Sequence, residues 1–332
     1  MPQILRTTLI ADEAQAADAT INFDLPVNPL SAVLLTVKAL NNVLTDYRYA
    51  AALLSMITDL RISYRGGSII HGSLTDLAVL FSRLSDWGPW LGNAVEVDND
   101  VRSITVPLCF GRRPYDPDEC FPASRRGDLV MSMAVDISVP GADGLIIQAE
   151  TIELLEAQPK HFTKVTTTAK VNNAIIEHDI DLPIGNDLVA ILLRDASPPS
   201  GATFNAQFGK VALEADNVEI GYAETNWETL HGELMRRRAN MHALLPHVHS
   251  VNAAGAGRET TLQQQEGVGV PGTILDNYAY IDFDPLDDNQ YLLKTSGAAR
   301  LNLRVTTEIA IAGAMRVLPV ELVPVAPAGA AA

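Results

Sequence analysis

Residues 24–37 read DLPVNPLSAVLLTV, and residues 181–193 read DLPIGNDLVAILL, 157 positions further on. In both, Asp-Leu-Pro precedes an apolar run, residues 32–37 in one and 188–193 in the other. The stretch LSAVLLTVKAL at 30–40 is apolar on both faces, as a strand buried between two layers would be. Working outward, Leu60, Ile62 and Tyr64 alternate with Asp59, Arg61, Ser63 and Arg65 ahead of Gly66-Gly67, the pattern of a half-exposed strand entering a tight hairpin. The next strand is 68–71. Ser73 with Asp76 then forms a capping box before Leu74, Leu77, Leu80, Phe81 and Leu84 at helical spacing.

The second half repeats that order. Strand 211–214, the turn Asp216-Asn217 and strand 218–222 lead to Thr225 with Glu228, a second capping box ahead of Trp227, Leu230, Leu234 and Met235. A third block consists of a strand ending at Phe110, an acidic Pro loop at 114–119 and the strand Leu129-Val130-Met131-Ser132-Met133. It recurs as 281–283, 285–288 and Leu301-Asn302-Leu303-Arg304-Val305. Each block alone is a common local solution, but three in one order point to a duplicated domain. With further strands at 103–110, 129–139 and 145–155, short helices and turn-rich loops, the expected class is all-β sandwich rather than βαβ. The expected organisation is a polar N-terminal arm at 1–17, a first sandwich at 18–160, a second at 161–325 and a tail at 326–332. Residues 239–277, rich in Gly, Gln and Ala and without helix or strand periodicity, read as a long loop inserted in the second half, held at the surface.

Composition bounds the function. With 24 Lys+Arg against 40 Asp+Glu, the net charge of −16 repels phosphate, which argues against binding duplex DNA or an anionic membrane by charge. No stretch approaches the ~18 apolar residues of a spanning helix, and residues 1–15 lack a signal pattern, so the reading is a soluble chain made in the cytoplasm. Two cysteines, Cys109 and Cys120, are too few for a disulfide framework or a Cys-based zinc site.

An eight-stranded antiparallel sandwich present twice, with a helix after an internal hairpin, resembles the double jelly-roll major capsid proteins of the adenovirus and tailless membrane-containing bacteriophage lineage. The residues carrying the resemblance are the Asp-Leu-Pro strands at 24 and 181, the hairpin-helix units at 59–84 and 211–235, and Phe283-Asp284-Pro285 with 301–305. It covers about residues 18–325. It implies two tandem antiparallel eight-stranded jelly rolls and a shell-building role with no enzymatic activity. It also implies homotrimers that form pseudo-hexagonal capsomers in an icosahedral virion assembled in the host cytoplasm. The partners it implies are neighbouring capsomers, other virion proteins and an internal membrane beneath the shell, with no direct nucleic acid contact. No catalytic, cofactor-binding or metal residue follows from it, and no cofactor.

The chemical motifs are weak in context. Gly267-Val268-Gly269-Val270-Pro271-Gly272 matches G-x-G-x-x-G but lies between polar and loop-like residues rather than between strand and helix. His247-Val248-His249 would place two imidazoles on one strand face, with His242 as a third ligand, which raises the alternative of a bicupin-like metal enzyme. A cupin needs a Glu a few residues on; here Glu259 is ten beyond His249. A tandem β-sandwich that binds carbohydrate is the other alternative. Asp116 and Asp118, with Asp282, Asp284, Asp287 and Asp288, offer oxygen ligands for calcium but lack the EF-hand pattern and read as turn-forming acids. Arg112-Arg113, Arg125-Arg126 and Arg236-Arg237-Arg238 read as ion-pair partners for a neighbouring subunit.

Overall fold

The computed structural model describes residues 3–41, 49–85, 87–92, 101–139, 142–199, 205–236, 241, 244, 247–251, 257–261, 274–311 and 313–325. The chain divides into two compact units. One comprises 1–162 with 239–274 and 325–332, the other 163–238 with 275–324. The insertion therefore groups with the first unit, although in sequence it interrupts the second.

The first unit contains β1 (Gln3–Gln15), β2 (Ala19–Asp24), β3 (Leu30–Asn41), α1 (Tyr49–Ser55), β4 (Ile57–Tyr64), β5 (Gly67–Gly72), α2 (Leu74–Leu84), β6 (Trp90–Gly92), β7 (Val101–Cys109), β8 (Leu129–Val135) and β9 (Ala142–Leu155). One sheet runs β1-β9-β3-β7-β6 and the other β2-β8-β4-β5. Strand β3 is buried on both faces over 30–35, which is why that stretch is almost wholly apolar, whereas β8 alternates buried Leu129, Met131, Met133 and Val135 with half-exposed residues.

β10 (His161–Val165) carries the chain into the second unit, where β11 (Thr168–Val171), β12 (Glu177–Asp181), β13 (Asp187–Arg194), β14 (Lys210–Ala215), β15 (Val218–Glu219), β16 (Thr225–Asn226) and α3 (Trp227–Met235) follow. Two short strands, β17 (His247–Val251) and β18 (Gly257–Thr261), form an antiparallel ribbon within the insertion. The insertion is thus not wholly a loop. Then come β19 (Tyr278–Asp282), β20 (Leu301–Thr306) and β21 (Ala314–Pro324). The sheets here are β11-β21-β13-β19 and β12-β20-β14-β15. They enclose Leu188, Ile191, Phe208, Trp227, Ile281 and Leu303.

Strand for strand, the two units have one topology. β1, β9, β3 and β7 correspond to β11, β21, β13 and β19, and β2, β8, β4 and β5 to β12, β20, β14 and β15. The connections repeat too. Leu25 N–H donates to the Leu129 carbonyl and Leu182 N–H to that of Leu301, each at 2.9 Å, and the Phe110 to Ser31 bond recurs as Phe283 to Val189. Both hairpins turn on two residues of positive φ, Arg65-Gly66 (48° and 83°) and Asp216-Asn217 (51° and 66°), the type I′ geometry whose twist matches the strands it joins. A buried polar pair is also duplicated. Asn28 Nδ2 donates to Glu153 at 2.7 Å, and Asn186 Nδ2 to Glu321 at 2.7 Å. The chain thus contains two tandem eight-stranded jelly rolls.

Two expectations need correction. The N-terminal arm is a strand: β1 pairs with β9 over most of its length. It is a sheet edge with only Ile10 buried, so its side chains lack the inside-outside alternation by which a strand is recognised. The second capping box also fails. Ser73 caps α2, its Oγ accepting from Asp76 N–H at 3.2 Å, but Thr225 pairs with Val211 in β16 and Asn226 becomes the N-cap, without a side-chain cap bond. Ser73→Ala should therefore cost about 1 kcal/mol in urea denaturation, and Thr225→Ala less than half of that.

Candidate interaction surfaces

The acidic loops are built by local hydrogen bonding. After β7, Glu119 folds back on Arg112: its Oε2 lies 2.6 Å from a guanidinium nitrogen, while Oε1 accepts from Arg112 Nε at 2.8 Å and from its backbone N–H at 2.7 Å. Gly111 sits so close beneath that an added Cβ would overlap the Glu119 carbonyl. Asp116 accepts from Asp118 N–H, and Asp118 pairs with Lys160 at 2.8 Å. In the second unit Asp284 accepts from Asp288 and Asn289 N–H, Asp282 from Asp284 N–H, and Asp288 from Gln290 N–H. These carboxylates make the turns that their residue type favours. Among the described residues no three His, Cys, Asp or Glu side chains are grouped to hold a metal ion.

The arginine islands divide. Arg112 pairs with Glu119 of its own loop, and Arg236 bonds Glu233, Asp282 and the Pro285 carbonyl of its own unit. Arg125 and Arg126 are exposed. Arg237, Arg238, His242 and the glycines of 267–272 lie outside the described residues. The ribbon register sets Glu259 opposite His249, a pairing hidden by their ten-residue separation. Cys109 and Cys120 are both buried and form no disulfide, the first thiol lying 3.9 Å from Ser85 Oγ and the second 3.9 Å from the Pro117 carbonyl, and burial pushes each thiol up to about 12.

One buried carboxylate went unnoticed in sequence. Asp195, fully enclosed at the end of β13, accepts from Gln207 N–H at 2.9 Å and Phe208 N–H at 3.2 Å. Burial pushes it up to about 7, the two N–H donors pull against that, and nearby Glu308 adds to the rise. The folded state then holds a proton more tightly than the unfolded chain. Its stabilising contribution is complete below about pH 3.8 and lost as pH rises through about 7. Asp195→Asn should flatten the decline in stability between pH 4 and 7 relative to wild type, measured by urea denaturation at each pH.

The outer faces of the equivalent sheets differ in charge. In the first unit, β2, β8, β4 and β5 present Thr20, Asn22, Asp24, Ser132, Asp59, Arg61, Ser63 and His71, with Arg65, Arg125 and Arg126 at the hairpin end. In the second, β12, β20, β14 and β15 present Glu177, Asp179, Asp181, Arg304, Lys210, Glu214 and Glu219, with Asn302 buried among them and donating to Asp179 and Glu214. Arg304 pairs there with Glu214 and Glu219, and Arg300 with Asp179 and Asp181 at 3.6 and 3.4 Å. Exposed apolar residues also occur on each unit: Ile4, Trp90 and Val101 on the first, Val171, Ile175 and Ile176 on the second.

Two tandem jelly rolls of one topology place the chain in the double jelly-roll class. Comparison with protein-family models finds no match, and neither does comparison with curated proteins. Among solved structures the chain is similar to the major capsid protein P2 of bacteriophage PM2, with a TM-score of 0.57, 14% identity, and coverage of 98% of this chain and 100% of that one. It is also similar to the major capsid protein of Sulfolobus Turreted Icosahedral Virus (TM-score 0.63, 14% identity, 97% of each chain). The PBCV-1 capsid chain follows at TM-score 0.54 and 10% identity, with 97% of this chain and 94% of that one covered. These likenesses establish the double jelly-roll fold along nearly the full length of each chain.

Proposed function

We propose that this chain is the major capsid protein of an icosahedral virus, a structural protein without enzymatic activity whose trimers form pseudo-hexagonal capsomers. The observation that carries the reading is the coverage: the two jelly rolls match, over almost the entire length of both chains, solved structures of capsid proteins. Two similar units per chain give six corners from three copies, and a closed ring leaves no growing edge. Its place is the virion, with neighbouring capsomers as partners. We keep the division between the two rolls near residue 160, count β1 with the first roll, and leave 326–332 as a flank. We assign no catalytic, cofactor or metal residue. Light scattering on the purified protein should give three times the 35.7 kDa protomer mass at micromolar concentration. A stable monomer there counts against the reading.

A further inference from the structure

We propose that the outer face of β2-β8-β4-β5 in one copy docks on the outer face of β12-β20-β14-β15 in a copy from a neighbouring capsomer, a contact made by charge. The inference rests on the shell reading and names the surfaces that join capsomers. It starts from the duplication, which makes the two faces equivalent row by row and so makes their differences readable. The row Asp24, Val130, Ser63 and Ser68 of the first unit becomes Asp181, Asn302, Glu214 and Glu219 in the second. Thr20 and Asn22 become Glu177 and Asp179. At the hairpin end the change runs the other way: Arg125 and Arg126, four and three residues before β8, stand where Gly297 and Ala298 precede β20.

Counting each face with its hairpin end, the first has Arg61, Arg65, Arg125 and Arg126 against Asp24, Asp59 and Asp128. The second has Lys210, Arg300 and Arg304 against Glu177, Asp179, Asp181, Glu214, Asp216 and Glu219. In a chain of net charge −16, one face is slightly basic and its equivalent is strongly acidic. Among the described residues Arg61, Arg125 and Arg126 have no ion-pair partner. Arg304 and Arg300, by contrast, are already shared among the acids of their own face, so that face keeps its negative excess.

Among the described residues the outward side chains of both faces are largely polar, and Thr20, Asn22, Asp24 and Arg61 on the first and Glu177, Asp179 and Asp181 on the second are exposed. A contact of the second face with its own kind sets acid against acid, whereas first against second sets arginines against carboxylates. Such complementarity selects the unlike pairing and rejects the like one. Because the groups are exposed, salt screens the contact over a Debye length of about 8 Å at physiological strength.

The test uses the full-length chain and measures, by sedimentation velocity across a salt series, both the basal oligomer and its association into larger species. Wild type should associate at low salt, with at least tenfold weaker association in 0.5 M NaCl. Arg125→Glu with Arg126→Glu, and separately Glu177→Lys with Asp181→Lys, should each weaken association at least tenfold without altering the basal oligomer or the melting temperature. All four substitutions in one chain should restore it to within about threefold of wild type. A quadruple variant no better than either double overturns the pairing, as does a wild type whose basal trimer never associates at low salt. Absence of the trimer itself, in wild type, instead strikes the shell reading, and the two failures are thereby separated.

Discussion

Trp227→Ala is expected to remove about 4 kcal/mol of folding stability, the largest single loss in the second unit. Trp227 opens α3, is almost wholly buried, and stacks on Phe208 at 6.2 Å and on His231 at 6.5 Å. Its ring lies in the core cluster between the two sheets with Leu230, Leu303 and Ile281. Truncation removes the transfer energy of a large aromatic side chain and leaves a cavity that sheets fixed by hydrogen bonds close only in part, which sets the range at about 3–5 kcal/mol. Urea denaturation followed by circular dichroism measures it. Trp90→Ala is the control, since Trp90 is 45% exposed and rests on Trp87 at the sheet edge. It should cost below about 1 kcal/mol. Equal losses for the two variants would contradict the placement of Trp227.

Glu119→Ala should destabilise the first unit by about 3–5 kcal/mol. Both side chains of the Arg112–Glu119 pair are only 10% exposed, and the carboxylate satisfies a guanidinium and a backbone N–H together. Removing it strips a nearly buried cation of its bidentate partner and loosens a turn whose close approach only a glycine at 111 allows. Replacing both residues, Arg112→Met with Glu119→Leu, should cost less than Glu119→Ala, because no charge is then left without its counter-charge. A double variant less stable than the single one would show that the loop depends on the ion pair itself.

Much of the fold was legible because the signals used are those that burial imposes. Strand β3 had to be apolar where both its faces are buried, and the Arg65-Gly66 hairpin announced itself by alternation before a glycine. What escaped notice lies where burial is absent or distant in sequence. β1 is an edge strand whose ladder is made by backbone groups, so Ile4 and Leu5 stay exposed although they lie on opposite faces, and 11–15 look like a polar arm. Thr225 satisfied a local capping pattern, but its pairing with Val211 wins, and the helix starts one residue later. The sequences of β17, HVHSV, and β18, GRETT, are mostly polar and carry no apolar alternation to mark a strand.

The duplicated Asn–Glu pair was visible in principle. Ile152-Glu153-Leu154-Leu155 and Val320-Glu321-Leu322-Val323 are matching apolar runs interrupted by one acid, a fourth repeat in the same order as the other three. An acid in a buried strand needs donors, and here Asn28 and Asn186, just beyond each Asp-Leu-Pro, supply them. The interaction surfaces were less accessible. Which arginines turn inward depends on the fold of the loop after β7 and on the approach of α3 to Asp282, and neither is written in residue spacing.

The central claim, that this chain builds a shell from pseudo-hexagonal trimers, is tested most directly by cryo-electron microscopy of the particles from which the chain is purified. The account predicts an icosahedral layer of capsomers, each a trimer with six jelly-roll densities standing side by side, into which this fold fits without rearrangement. Particles lacking such a layer, or a layer in which this chain sits as an isolated monomer on a shell made by another protein, would contradict it.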